Sequence, residues 1–288
     1  MRKIAIIAGI CCLQFSILPG IAQVKKAEPK MTKKTVTPMH THSKSVKSKS
    51  EPAEKKLMMT WTTKSPQAKK LAASGVSHMM NAEFAEAYSD LLAAEKLDHN
   101  FTIPLVFLTN LTRGEVSKSY AARSLKSASD KTEGEKLFAT LANEKSTNEE
   151  RAKTWADLHS MFPDGGMLAY FYAVTRATAD ERFAAAQDYI KKFPDNPAMY
   201  NTIAYYYMLD KKDMPMAKQN LEKYLAMYPD GCNPYDSMGE YYLNNGDTTN
   251  AEKYYKLALE KYPFNISSVN ALQKINDAKP KTEEKKPG

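Results

Sequence analysis

The sequence predicts an all-α protein whose helices pair into a repeating array, and three observations carry this prediction. Only 11 of the 288 residues are glycine, and helix-forming residues dominate over alternating Val and Ile runs. An aromatic–proline step recurs at Pro163, Pro194, Pro229 and Pro263, which are 31, 35 and 34 residues apart. Proline ends the preceding helix and sets the following turn, and a period near 34 residues is typical of a solenoid of helix pairs.

The segment 232–265 shows the spacing inside one unit most fully. Gly239 lies in the first helix, Ala251 follows twelve residues later, and Ala258 follows seven residues after that. Two helices that cross closely leave no room for large side chains, so these small residues predict the crossing. Gly246 lies between the two helices, where we expect a tight turn with a positive φ.

This spacing resembles the tetratricopeptide repeat (TPR), and the offsets recur at Gly75, Ala87 and Ala94. The resemblance implies a TPR-like α-solenoid, a right-handed superhelix of about six helix–turn–helix pairs plus a C-terminal capping helix. It covers residues 66–278, with units near 68–101, 102–135, 136–163, 164–197, 198–231 and 232–265 and a cap at 266–278.

Two parts of the array depart from the pattern. Between residues 136 and 197 the small-residue offsets are poor, although Trp155 is expected to serve a second helix. In the unit 198–231, Tyr205 stands where a small residue is expected. This departure predicts either a wider helix crossing or a shifted frame.

The first residues have the pattern of a signal peptide, predicted at 1–22. Arg2 and Lys3 precede an apolar run of about 15 residues, shorter than the roughly 20 that span a bilayer, and small residues lead to Ala22. A lipoprotein is the less favoured alternative, because no small residue precedes Cys11 or Cys12. We therefore expect an exported protein of a Gram-negative bacterium, which is periplasmic, exposed at the cell surface or secreted.

The net charge of +8 belongs to the N-terminal part of the chain. The leader and residues 24–57 carry +9, which leaves −1 for the remainder. A near-neutral repeat region argues against nucleic-acid binding. Residues 23–65 are rich in Lys, Ser, Thr and Pro and are interpreted as a disordered linker, and residues 279–288 as a disordered tail. The linker charge serves either solubility or weak association with an anionic envelope surface.

The sequence predicts that the protein is not an enzyme and that it binds neither a cofactor nor a metal. It lacks the Gly-x-Ser-x-Gly and Ser-x-x-Lys arrangements that activate a serine, and it has no phosphate-binding loop. His40 and His42 lack a third ligand. The histidines of the repeat region lie far apart in sequence, and Cys232 is interpreted as a packing residue.

In TPR proteins the first helices of the pairs line an inner groove, and the resemblance implies a protein or peptide ligand. Helical spacing from the expected crossings nominates a mixed aromatic and acidic surface suited to a basic peptide: Tyr172, Arg176, Met199, Thr202, Tyr206, Asp210, Asp236, Glu240 and Asn244.

Two alternatives to a free-standing scaffold stay open. The stretch from Asn233 to Glu240 is similar to repeats that accompany secreted serine hydrolases of the penicillin-binding or esterase type. This similarity allows an accessory subunit that supports a secreted hydrolase or a secretion or assembly complex. A self-assembling envelope protein is the other alternative, and the sequence leaves the oligomeric state open.

Overall fold

The computed structural model describes residues 58–279, and this part of the chain contains helices and no strand. The leader, most of the linker and the tail from residue 280 lie outside the described residues. The helices are α1 Pro66–Met80, α2 Phe84–Leu97, α3 Thr102–Leu111, α4 Gly114–Ala128, α5 Glu133–Ala139, α6 Asn148–Met161, α7 Gly166–Val174, α8 Ala179–Lys192, α9 Ala198–Tyr205, α10 Met214–Met227, α11 Asn233–Asn244, α12 Thr248–Lys261 and α13 Ile266–Ala278.

These helices form six successive pairs, α1/α2 to α11/α12, with α13 packed against α12. A 3-10 turn, Thr140–Ala142, extends α5, and a π-helical segment, Tyr206–Lys211, extends α9. The all-α array of six pairs and a terminal helix is therefore confirmed. None of the described helices is both long and apolar enough to cross a membrane.

The aromatic–proline steps end the second helices in one common way. The aromatic residue is the C-cap, and its N–H still bonds to the carbonyl four residues earlier. Its own carbonyl accepts the N–H of the residue three positions later, which closes a β-turn around the proline. The four caps are Phe162, Phe193, Tyr228 and Tyr262.

The small residues lie where the paired helices touch. A Cβ added to Gly239 would lie 2.8 Å from ring atoms of Tyr255, and one added to Gly75 would lie 2.7 Å from Cγ of Leu91. These distances are shorter than a normal carbon–carbon contact of about 3.5 Å. The crossings predicted in the first and last pairs are therefore confirmed.

In the fifth pair the frame is shifted by one residue. Ala204, fully buried beside Ala217, takes the small position in place of Tyr205. In the first and last pairs, the residue that caps the start of the second helix donates its N–H to the carbonyl five residues earlier. In the fifth pair this capping residue is Asp213, and its N–H bonds to the Tyr207 carbonyl, six residues earlier. The π-helical segment accommodates this extra residue. The shifted frame is thus the explanation of the departure at Tyr205.

Three of the turns between the two helices of a pair contain a residue with positive φ directly before the N-cap of the second helix: Ala82 at 59°, Lys212 at 57° and Gly246 at 79°. An L-residue pays about 1–2 kcal/mol for this conformation. We expect Gly246→Ala to lower the free energy of unfolding by about 1 kcal/mol, and Lys212→Gly to raise it by roughly 0.5 kcal/mol. Urea titration measures both, and equal stability of Gly246→Ala and the wild type would contradict the argument.

A cluster of aromatic rings joins the middle pairs. The Trp155 ring stacks on Phe171 at 4.7 Å and meets Phe138 edge-on at 5.7 Å. Phe107 contacts both phenylalanines, at 5.7 and 5.5 Å. These large rings fill much of the space between the helices of the middle pairs, where the small-residue offsets are poor.

The prediction of a disordered linker up to residue 65 was wrong for the last residues before α1. Met59 is buried in the main apolar core, and the Trp61 ring lies 6.4 Å from that of Phe101. Thr62 N–H and its hydroxyl both donate to the Glu135 carboxylate at 2.8 Å. Averaging the composition over the whole polar stretch hid these few apolar anchors.

Candidate functional site: a first-helix face and a closing contact

Asp236 and Glu240 lie one turn apart on α11 and form the acidic part of the candidate face. Asp236 accepts a hydrogen bond from the Ser268 hydroxyl of α13, and Glu240 accepts one from the Tyr205 hydroxyl at 2.7 Å. Burial raises the pKa of both carboxyl groups, and the charge of Asp236 raises that of Glu240 further. Within residues 58–279 neither carboxylate forms an ion pair. The two acids therefore offer negative charge that no cation balances.

The residues predicted on α9 are displaced by the frame shift. Met199 is fully buried in the apolar core, so its side chain offers no surface to a partner. Tyr206 is also buried, because it stacks on Phe183 at 4.1 Å and donates to Asp180 at 2.6 Å. The assignment of these two side chains to an open groove was wrong, since it counted from Tyr205 as the crossing residue.

Counting from Ala204 moves the face one residue back, to Asn201 and Tyr205. Tyr205 indeed meets Glu240 of the next pair. The Asn201 Oδ1 atom is buried and accepts no hydrogen bond from the described residues. Thr202 is half-buried, while Asp210 in the π-helical segment and Asn244 at the end of α11 are exposed. The face that the structure brings together thus combines Tyr205, Asp236 and Glu240.

Tyr172 and Arg176 belong to a separate group between α6 and α7. The Tyr172 ring stacks on His159 at 4.8 Å, and the Arg176 guanidinium lies 4.2 Å from the centre of that ring. Arg176 donates to the carbonyls of Ala152 and Tyr172 at 2.8 and 2.9 Å. Burial, reinforced by the charges of Lys192 and Arg176, lowers the pKa of His159. No hydrogen bond or ion pair between described residues joins this group to the carboxylates of α11.

A polar contact between the first and the last pairs was missed by sequence reasoning. Glu83, the N-cap of α2, is buried, and its carboxylate accepts the Tyr228 hydroxyl at 2.6 Å and the Cys232 N–H at 2.9 Å. His78 Nδ1 lies 2.8 Å from the same carboxylate. A Cβ added to Gly231 would lie 2.7 Å from Glu83 Oε1, so glycine leaves the space that the carboxylate fills.

A second set of hydrogen bonds lies beside this carboxylate. The Tyr224 hydroxyl donates to Asn81 Oδ1 at 3.0 Å and accepts from Asn233 Nδ2 at 3.1 Å. We call the whole group the clasp, which consists of His78, Asn81, Glu83, Tyr224, Tyr228, Cys232 and Asn233. Its partners are up to 150 residues apart in sequence, and only the acidic N-cap and the histidine five residues before it give a local signal.

The described residues contain no group of three or more His, Cys, Asp or Glu side chains that could hold a metal ion. Cys232 is buried, and burial raises the pKa of its thiol to about 12. A thiol with this pKa is almost wholly protonated near neutral pH and is a poor nucleophile. The burial of Cys232 agrees with its interpretation as a packing residue.

Comparison with protein-family models and with curated protein sequences gave no match. Among solved structures, the first TPR of Spaghetti (RPAP3) bound to the HSP90 peptide SRMEEVD is 24% identical, over 35% of this chain and 79% of that chain, with a TM-score of 0.32. A thermophilic TPR protein from Thermus thermophilus is 12% identical, over 73% of this chain and 98% of that chain, with a TM-score of 0.43.

PilW, a widely conserved type IV pilus biogenesis factor, is 12% identical, over 74% of this chain and 99% of that chain, with a TM-score of 0.44. The helix pairs of the chain, their close crossings at Gly75 and Gly239 and their shared turns are features of its own structure. The chain has the architecture of a TPR-like helical repeat array.

Proposed function

We propose that the protein is a non-catalytic scaffold, exported to the cell envelope, that binds a protein or peptide segment through the face formed by α9 and α11. The observation that carries this proposal is the unbalanced acidic pair of Asp236 and Glu240. Two carboxylates whose pKa is raised by burial bind a lysine or arginine well, because the incoming cation restores the charge balance.

Glu240 is the member of the pair that a ligand can reach. Asp236 is buried against Ser268 of α13, whereas Glu240 keeps part of its surface exposed beside Tyr205. The ligand that fits is therefore a segment with a basic side chain placed at Glu240 and an apolar part against the tyrosine ring.

Removing the charge of Glu240 tests this face. We expect Glu240→Gln to weaken the binding of lysine-containing peptides about tenfold or more, because a charge-assisted hydrogen bond is lost from a partly buried site. The probe is an array of peptides that are identical except for Lys, Gln or Glu at one position, followed by fluorescence anisotropy on those that bind.

Glu260→Gln is the matched control, since it removes the same charge from an exposed position on α12 of the same pair. This variant is expected to bind like the wild type. Equal losses in the two variants, or no preference for Lys over Glu in the peptide, would contradict a specific role of the face.

The export part of the proposal rests on the residues before the repeat array. The apolar leader at 1–22 directs export. The basic linker associates weakly with an anionic envelope surface and lets the repeats extend away from it. A fusion of residues 1–65 to a reporter that is active only outside the cytoplasm tests this, and an inactive reporter would contradict it. An accessory subunit of a secreted hydrolase or of a secretion or assembly complex is the alternative, and co-purification of such an enzyme with the exported protein would favour it.

A further inference from the structure

The clasp joins parts of the array that are not neighbours. In a repeat array each unit normally contacts only the units beside it. Here the turn between α1 and α2 is bonded to the segment that links α10 and α11, four pairs further along the chain. The Tyr170 hydroxyl adds a bond of 2.7 Å to the Met80 carbonyl at the end of α1. The first pair is thus held against the later part of the array.

Hydrogen bonds, and not a shared apolar cluster, join the first pair to α10 and α11. One buried apolar cluster extends from Met59 to Ile203, and a second one extends from Ala204 to Tyr241. The second cluster contains no residue of α1 or α2. The first cluster reaches α9 but includes no residue of α10 or α11. The first pair therefore meets these two helices mainly through the polar clasp, which can open while both clusters stay packed.

The charge balance of the clasp depends on one proton. His78 is the single basic side chain bonded to Glu83 among the described residues, and its other nitrogen, Nε2, lies 3.8 Å from Asp90. The remaining titratable groups around the pair are acidic or neutral near pH 7: Glu86, Tyr224, Tyr228 and Cys232. When His78 is neutral, Glu83 is a buried carboxylate with uncharged donors only, which is the costlier state.

We propose that the clasp is a pH-controlled closure of the repeat array, closed while His78 is protonated and loosened when His78 loses its proton. The hydrogen bond that His78 donates to Glu83, together with the charges of Glu83, Asp90 and Glu86, raises the pKa of His78 despite its partial burial. Closure is therefore strongest at mildly acidic pH and weakens as the pH rises above the ordinary histidine value of 6.5.

Release would change the start of the helix that carries the proposed face. Cys232 donates to Glu83 and lies one helical turn before Asp236 on the same segment. Loosening the clasp removes the partner of the Cys232 and Asn233 amides at the N-terminus of α11. The closure itself does not depend on the proposed partner-binding function, because its test needs no ligand.

Hydrogen exchange of the Cys232 and Asn233 amides tests the closure in the protein without its leader. After correction for the intrinsic exchange rate, we expect their protection in the wild type to fall about tenfold between pH 5.5 and pH 8.5. In His78→Gln the protection is expected to be low at both pH values, with no such fall. Unchanged circular dichroism and unchanged protection of α4 show that the variant is folded.

His99→Gln is the matched control. His99 lies 2.8 Å from the carboxylate of Glu95, the same distance as between His78 and Glu83, but this pair stays within the first two helix pairs. This variant should keep the wild-type pH profile at Cys232 and Asn233. The proposal is overturned if wild-type protection is the same at both pH values, or if His78→Gln keeps the wild-type profile.

Discussion

Glu83→Ala is expected to lower the free energy of unfolding by about 3 kcal/mol, because it leaves a set of buried donors without their acceptor. The Tyr228 hydroxyl and the Cys232 N–H both lose their partner, and His78 loses the carboxylate at 2.8 Å. For a folded region of this size the loss corresponds to a melting temperature lower by roughly 6–12 °C. Urea titration followed by circular dichroism measures it.

The pH dependence of this loss has a definite sign. The raised pKa of His78 adds stability that is present below its ordinary value of 6.5 and is lost as the pH rises through the folded value. Burial alone would raise the pKa of Glu83, but the hydrogen bonds from His78, Tyr228 and Asn233 outweigh this effect and leave the pKa below 4.5. The contribution of Glu83 to stability is therefore lost as the pH falls. The difference between wild type and Glu83→Ala should therefore be largest between about pH 4.5 and 6.5.

Glu95→Ala provides the comparison for this variant. Glu95 is also a buried carboxylate, bonded to Arg123 and His99, but it lies outside the clasp. Both variants should be destabilised, yet only Glu83→Ala should lose protection at Cys232 and Asn233. A loss below about 1 kcal/mol for Glu83→Ala would mean that the clasp contributes little to stability.

Trp155→Ala is expected to be the most damaging single change in the middle of the array, with a loss of about 3–5 kcal/mol. The ring is 6% exposed and stacks on Phe171 while meeting Phe138 edge-on. Truncation opens a cavity at the centre of the ring cluster that joins these helix pairs. Thermal and urea unfolding both report the loss.

The other tryptophan of the chain, Trp61, allows a direct comparison of the stability lost on truncation. Trp61 packs against the same core from the segment before α1 but stays partly exposed. Trp61→Ala should therefore cost clearly less than Trp155→Ala. Equal losses would show that the aromatic cluster around Trp155 has no special place in joining the middle pairs.

The sequence by itself determined the helix pairs, their turns and their close crossings. These features depend on residues near each other in the chain: a proline after an aromatic cap, a glycine opposite Tyr255, an N-cap after a residue with positive φ. Local sterics and backbone hydrogen bonding decide them, so that their spacing can be read directly. The acidic pair on α11 was predicted in the same way, from helical periodicity.

The tertiary structure alone decided the frame of α9 and the existence of the clasp. One extra residue in the π-helical segment rotates the preceding face, which buries Met199 and Tyr206 and turns Tyr205 towards Glu240. The clasp brings Glu83 to Cys232, 149 residues away in sequence. The meeting of two such distant turns depends on the small rotations between successive pairs, which add up along the whole array and leave no periodic trace in the sequence.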